Sequence, residues 1–198
     1  MSTWQDYYFD NNVSTKVVFC NLNFFTGGIS MKNAFGVALG IMALIWAYLA
    51  LDVLAGYVLV WAGFIAWGAF HTVKEKDAMV PTITGTIFGA VMAVVALVIA
   101  ALLSGFISNL AASIAVAVGI TVYILTAVKA FGNVPANVFG YAATVAMVRE
   151  EVLMSVSNGA VGDIVAINLS HPLITAALSF IAGAIFANIT VKLAAKLG

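Results

Sequence analysis

Five long stretches of this chain carry no charged side chain: 33–51, 53–73, 78–128, 130–148 and 164–191. A hydrocarbon core about 30 Å thick is crossed by roughly 17–25 helical residues rising about 1.5 Å each. The first, second and fourth stretches therefore fit one crossing apiece. The stretch 78–128 is too long for one helix and contains its own turn signal, Ser104-Gly105 followed by Ser108-Asn109, so it reads as two spans joined by a hairpin. The last stretch opens with Asn168, Ser170 and His171, and Pro172 then suits a first helical turn, which places the final span at about 172–192. Six candidate spans result. The composition agrees: 64% of the 198 residues are hydrophobic and 8% charged, against about 45–50% and about 25% in soluble domains. An ordinary soluble enzyme is excluded. The formal net charge is zero, with no basic patch for a nucleic acid. The single cysteine, Cys20, excludes a disulfide framework and a multi-cysteine metal site.

Spans two and five, roughly 56–73 and 131–148, are rich in glycine and polar groups, and each reads either as a crossing or as a re-entrant half-helix. The positive-inside rule separates the two. With six crossings and a cytoplasmic N-terminus, Lys16, Lys32, Lys74, Lys76, Lys129, Lys192 and Lys196 fall inside and only Arg149 outside. With two re-entrant segments the bias vanishes. The expected topology is six crossings with both termini inside, span five being broken near Pro135.

An internal repeat points the same way. AGFIAWGAF at 62–70 aligns without a gap on ANVFGYAAT at 136–144, pairing Gly63 with Asn137 and Trp67 with Tyr141. PTIT at 81–84 then resembles PLIT at 172–175, pairing Thr84 with Thr175. Three crossings per copy invert the second copy relative to the first, as in many secondary transporters. The expected fold is an all-α polytopic membrane bundle of about six helices arranged as a 3+3 inverted repeat. Its halves cover about 33–104 and 106–192, with an insertion at 149–171 on the outer face, in a single transmembrane domain at 31–198. Residues 1–30 have no regular period and lack the pattern of a secretory signal. They are expected to be an N-terminal arm, with Phe19, Phe24 and Phe25 at the headgroups, or an extension upstream of a natural start at Met31.

The stretch MKNAFGVALGIMALIWAYLAL, followed by VLVWAGFIAWGAF and VPANVFGYAATVA, resembles the YcdZ-like bacterial inner-membrane proteins, a family of unknown function. The resemblance covers about 31–192 and is most specific at Trp61 to Phe64, just after Ile45-Trp46. It implies a small polytopic protein of the bacterial cytoplasmic membrane, with transport suspected and no catalytic residue to carry over.

Polar groups at membrane depth are costly and usually face a cavity or a partner helix. Asn133 and Asn137, one helical turn apart and flanking Pro135, are the first candidates for a solute path; the competing reading is a hydrogen-bonded tie between helices. Thr84 and Thr175 add hydroxyls to that path or bond back to their own helices. Gly63 stands opposite Asn137 in the repeat. Trp67 and Tyr141 read as paired gates or as interfacial anchors. His71 with Glu75 reads as a proton relay or weak metal pair, and better as part of the solvated cluster Lys74-Glu75-Lys76-Asp77. Arg149, Glu150 and Glu151 read as a membrane-boundary cluster.

No span holds a carboxylate pair or an arginine, so uncoupled movement of a small neutral or weakly charged solute fits better than proton-driven pumping. No Walker motif is present. Neither catalysis nor a bound cofactor or metal is expected. The small-residue faces Gly36/Gly40, Gly85/Gly89, Ala111/Ala115/Gly119 and Gly183/Ala187 allow close helix packing within one chain or between copies. A homo-oligomer is expected, and an accessory subunit of a larger membrane complex is the alternative to a channel or facilitator.

Overall fold

The computed structural model describes residues 31–73, 77–128, 133–166 and 171–198, with the backbone alone at Met31 and Lys32. The arm 1–30, Lys74 to Lys76, Lys129, Asn168 and Ser170 lie outside the described residues. Among the described residues eight α-helices follow one another: α1 (Met31–Tyr48), α2 (Val60–Thr72), α3 (Met79–Ser104), α4 (Leu110–Ala127), α5 (Val134–Val145), α6 (Glu150–Ser157), α7 (Val161–Val165) and α8 (Pro172–Leu197), with a π-helical turn at Leu49–Val53 extending α1. No strand is present among the described residues, so the architecture is all-α.

Four helices are long and apolar enough to cross a membrane among the described residues: α1 with its π turn, α3, α4 and α8. The turn signal at Ser104-Gly105 falls where α3 stops, and Asn109 caps α4 by accepting from the Ala112 amide at 3.2 Å. Helix α8 starts at Pro172, with His171 as its cap. The short helices α2 and α5 have 13 and 12 residues, about 20 and 18 Å of rise. An extended run through Leu59 precedes α2, and Asn133 caps α5 by accepting from Ala136 N at 3.1 Å.

Contacts at the helix ends fix the directions. The Phe35 ring of α1 meets the His71 ring of α2 at 5.5 Å, and Asn188 of α8 reaches the Met79 sulfur at the start of α3. This end of the bundle is called the near face. At the opposite, far face, the Trp46 indole donates to the Val60 carbonyl at 2.9 Å, and the end of α3 (Ala100, Ala101) packs against Val156 of α6 and Ile164 of α7. Helices α1, α3 and α5 therefore run from near to far, and α2, α4 and α8 return.

The interior is built from small side chains. Helix α1 with its π turn buries Ala34, Ala38, Met42, Trp46 and Ala50, each four residues after the last, and α4 buries Ser113, Ala117, Thr121 and Leu125 at the same spacing. On α1 and α4 one stripe faces the protein; the rest is apolar, small residues such as Gly40 and Gly119 alternating with large ones, Leu44 71% and Tyr123 74% exposed. Such surfaces suit lipid, since no charged residue interrupts them.

Candidate functional site

Two tight helix crossings form the centre of the bundle. In the first, α5 lies on α3. A Cβ added at Gly89 would land on the Asn137 carbonyl oxygen and the Tyr141 amide, and one added at Gly140 on the Thr86 carbonyl. Only glycine lets the backbones meet so closely. The seam is lined with polar groups: Thr82, Thr86, Asn137 and Thr144 are all essentially buried. Thr86 donates to the Thr82 carbonyl at 2.8 Å and Thr144 to the Gly140 carbonyl at 2.9 Å. The Thr121 hydroxyl of α4 donates to the Ala117 carbonyl at 2.8 Å. Its single proton being so used, Thr121 accepts from the Tyr141 hydroxyl at 3.0 Å. Asn137 itself packs against α3, its Oδ1 and the Ala136 Cβ each 2.9 Å from where a Cβ on Gly85 would stand.

In the second crossing, α2 lies on α8. A Cβ added at Gly183 would land on the Gly63 carbonyl, and one added at Gly63 would collide with the Trp46 ring. Here the seam is apolar, with Ala62, Ala66 and Phe180 buried together. The Trp67 ring sits in a cluster with Trp46, Met42 and Phe70, and its indole N–H is buried with no acceptor among the described residues. The polar link is Ser179, whose Oγ accepts from the Leu59 amide at 2.9 Å while donating to the Thr175 carbonyl at 2.7 Å. Helix α8 thus satisfies the last amide before α2.

The sequence-derived site residues divide between these places. Asn137 and Tyr141 share the α3–α5 seam; Gly63 and Trp67 belong to the α2–α8 seam. Asn133 is the half-buried cap of α5, and Thr84 lies on the exposed side of α3, donating to the Val80 carbonyl at 2.9 Å. Thr175 lines a cavity of about 340 Å³ at the far face, together with Gly56, Leu59, Trp61, Met147 and Arg149. A neighbouring cavity of about 260 Å³ lies on the other side of Arg149 and Pro172, against Glu151, Asp163 and His171. The His171 ring is fixed between the Leu173 amide, which donates to Nδ1 at 3.2 Å, and the Ile164 carbonyl at 3.0 Å from Nε2. Nδ1 is thereby the acceptor and Nε2 carries the proton. Among the described residues no group of three His, Cys, Asp or Glu side chains is placed to hold a metal ion.

Sequence reasoning passed over the Arg149 cavity because Arg149 adjoins two glutamates and looks like a boundary cluster. The signal was present: Arg149 is the one arginine in the chain and the lone exception to the positive-inside assignment.

Apolar spans, all-helical order and small-residue crossings define a helical membrane protein. The chain belongs to the family DUF1097, described as a protein of unknown function, whose family model matches residues 36–195. No curated protein and no solved structure matches it.

Proposed function

We propose that this protein is a six-crossing channel or facilitator for a small neutral or weakly charged solute, built as a 3+3 inverted repeat in the bacterial cytoplasmic membrane. The carrying observation is how the helices pair. Helices α1 and α2 pack on α8, and α4 and α5 pack on α3. Exchanging α1 with α4, α2 with α5 and α3 with α8 leaves that pattern unchanged. The exchange also sets the Gly63–Gly183 approach against the Asn137–Gly89 approach, with Gly89 and Gly183 three residues apart in the register that pairs Thr84 with Thr175. The short helices α2 and α5 touch each other across the centre through Ala62, Ala66 and Ala143. Broken helices of this kind, at the interface of two repeats, are where secondary transporters hold their solutes.

On this reading each short helix completes its crossing with non-helical backbone, and both termini share the near, cytoplasmic face. The resemblance to YcdZ-like proteins supports the inner-membrane location. The path follows the interface of the two halves, with Asn137 and Tyr141 in one wall and Gly63 and Trp67 in the other. The reading is non-enzymatic. Its test is stopped-flow light scattering on proteoliposomes challenged with a panel of small neutral and weakly acidic solutes. Accelerated re-swelling that Asn137→Leu removes is expected; flux unaffected by that substitution would take Asn137 off the path.

The accessory-subunit reading has its own support. Gly36 and Gly40 of α1, and Ala111, Ala115 and Gly119 of α4, are exposed, while Gly85, Gly89 and Gly183 are used up inside the chain. Faces of this kind suit further helices, from copies of this chain or from a larger complex. Cross-linking in native membranes, with size determination of the product, separates the two.

A further inference from the structure

The 340 Å³ cavity at the far face has the chemistry of an anion site. Its lining includes Arg149 and no carboxylate; Glu151 and Asp163 lie on the other side of Arg149, against the second cavity. Arg149 is exposed, and among the described residues its guanidinium makes no ion pair or hydrogen bond, so its five donors are available to a ligand. The same cavity is lined by Leu59, Trp61 and Met147, apolar surface enough for a few carbon atoms, and by the half-buried Thr175. Helix α2 begins at this cavity, at Val60, and its first amides have no acceptor within their own helix. Helix α8 also begins there, at Pro172, but its first amides are taken by His171. Arginine, one open helix start and an apolar wall around a volume suited to a small molecule form a coherent set.

We propose that this cavity binds a small organic monoanion, a carboxylate or sulfonate with a short apolar remainder, its charged end on Arg149 and its carbon end on Trp61 and Met147. This rests on the facilitator reading and narrows it: the cavity is the mouth at which the solute is selected, and the solute class is a monoanion. One guanidinium balances one negative charge, and Glu151 and Asp163 in the adjoining cavity disfavour a second.

The test uses the full chain purified in detergent, with methanesulfonate as the permanently charged probe and dimethyl sulfone as its neutral isostere. Because Arg149 is the one arginine, the rate of its modification by phenylglyoxal reports on the site without any substitution. Methanesulfonate is expected to slow that modification and dimethyl sulfone to leave it unchanged. In calorimetric titration, Arg149→Gln should weaken methanesulfonate binding by about tenfold or more, equivalent to about 1.4 kcal/mol. Arg149→Lys should weaken it less, and Lys196→Gln, at the other face, should not change it. Equal protection by both probes, or binding that survives Arg149→Gln, overturns the proposal. Should the Gln variant not fold, the protection experiment on the unaltered chain decides alone. Flux in proteoliposomes keeps the two readings apart. Neutral-solute flux without Arg149-dependent binding removes the anion site and leaves the facilitator. Arg149-dependent binding without flux of any solute leaves the anion site and removes the facilitator.

Discussion

The α3–α5 and α2–α8 crossings share one geometry and differ in chemistry. Each brings a short helix onto a 26-residue helix at glycine, close enough that a Cβ added at Gly89, Gly140 or Gly183 would strike backbone. Yet the first seam holds Thr82, Thr86, Asn137 and Thr144, and reaches Thr121 through Tyr141, while the second is filled by Trp46, Phe180 and alanines. Close approach therefore depends on small residues alone. A row of polar side chains is an addition made in the first seam, whereas the second has Ser179 as its polar link. In an apolar surrounding such groups are retained where something must be bound or a register fixed.

Five substitutions sharpen or break this comparison, and the largest effects test what the seams share. Gly89→Val and Gly183→Val drive a side chain into backbone, and each should cost roughly 3 kcal/mol or more, beyond ordinary overpacking. Thermal unfolding in detergent would read this as loss of a cooperative transition; if only one of the pair is affected, the shared geometry is not shared in energy. Ser179→Ala comes next. It strips the acceptor from the Leu59 amide, and a buried donor left without a partner costs about 1–3 kcal/mol. A melting curve matching the parent would mean that water replaces the hydroxyl.

Tyr141→Phe probes what the polar seam has alone. It removes a hydrogen bond between helices, worth about 0.6 kcal/mol on average in a membrane, so stability should hardly move. A loss of flux accompanying that small change would assign Tyr141 to the path. Gly40→Ala, on an open face of α1 with nothing near its Cβ position, should stay within about 0.5 kcal/mol in the isolated chain. Any large effect in native membranes then reports a contact with another chain.

The four long helices were legible in the sequence because charge is intolerable at membrane depth, so the gaps between charges mark α1, α3, α4 and α8. Local punctuation was legible too: Asn109 and Pro172 act through their own neighbours within one turn. The pairing of helices was not. That Trp46 lies over Gly63, or that Ser179 reaches Leu59, depends on residues 17 and 120 positions apart, and a span's apolar surface reads alike toward lipid and protein. The matched glycine and asparagine of α2 and α5 marked both crossings but not their partners. The alignment of Thr84 with Thr175 joined residues that lie on an exposed helix side and at a cavity. Periodicity locates a stripe on each helix without saying what meets it.

The bond from the Leu59 amide to the Ser179 hydroxyl, spanning 120 residues, bears on how the chain is made. Helices α1 and α2 leave the ribosome early, yet the surface they pack against is α8, the last helix synthesised. Until α8 arrives, the extended backbone before α2 lacks an acceptor that hydrocarbon cannot supply. The nascent N-terminal half must wait beside the insertion machinery or at the headgroups, and assembly closes from the end of the chain back to its beginning.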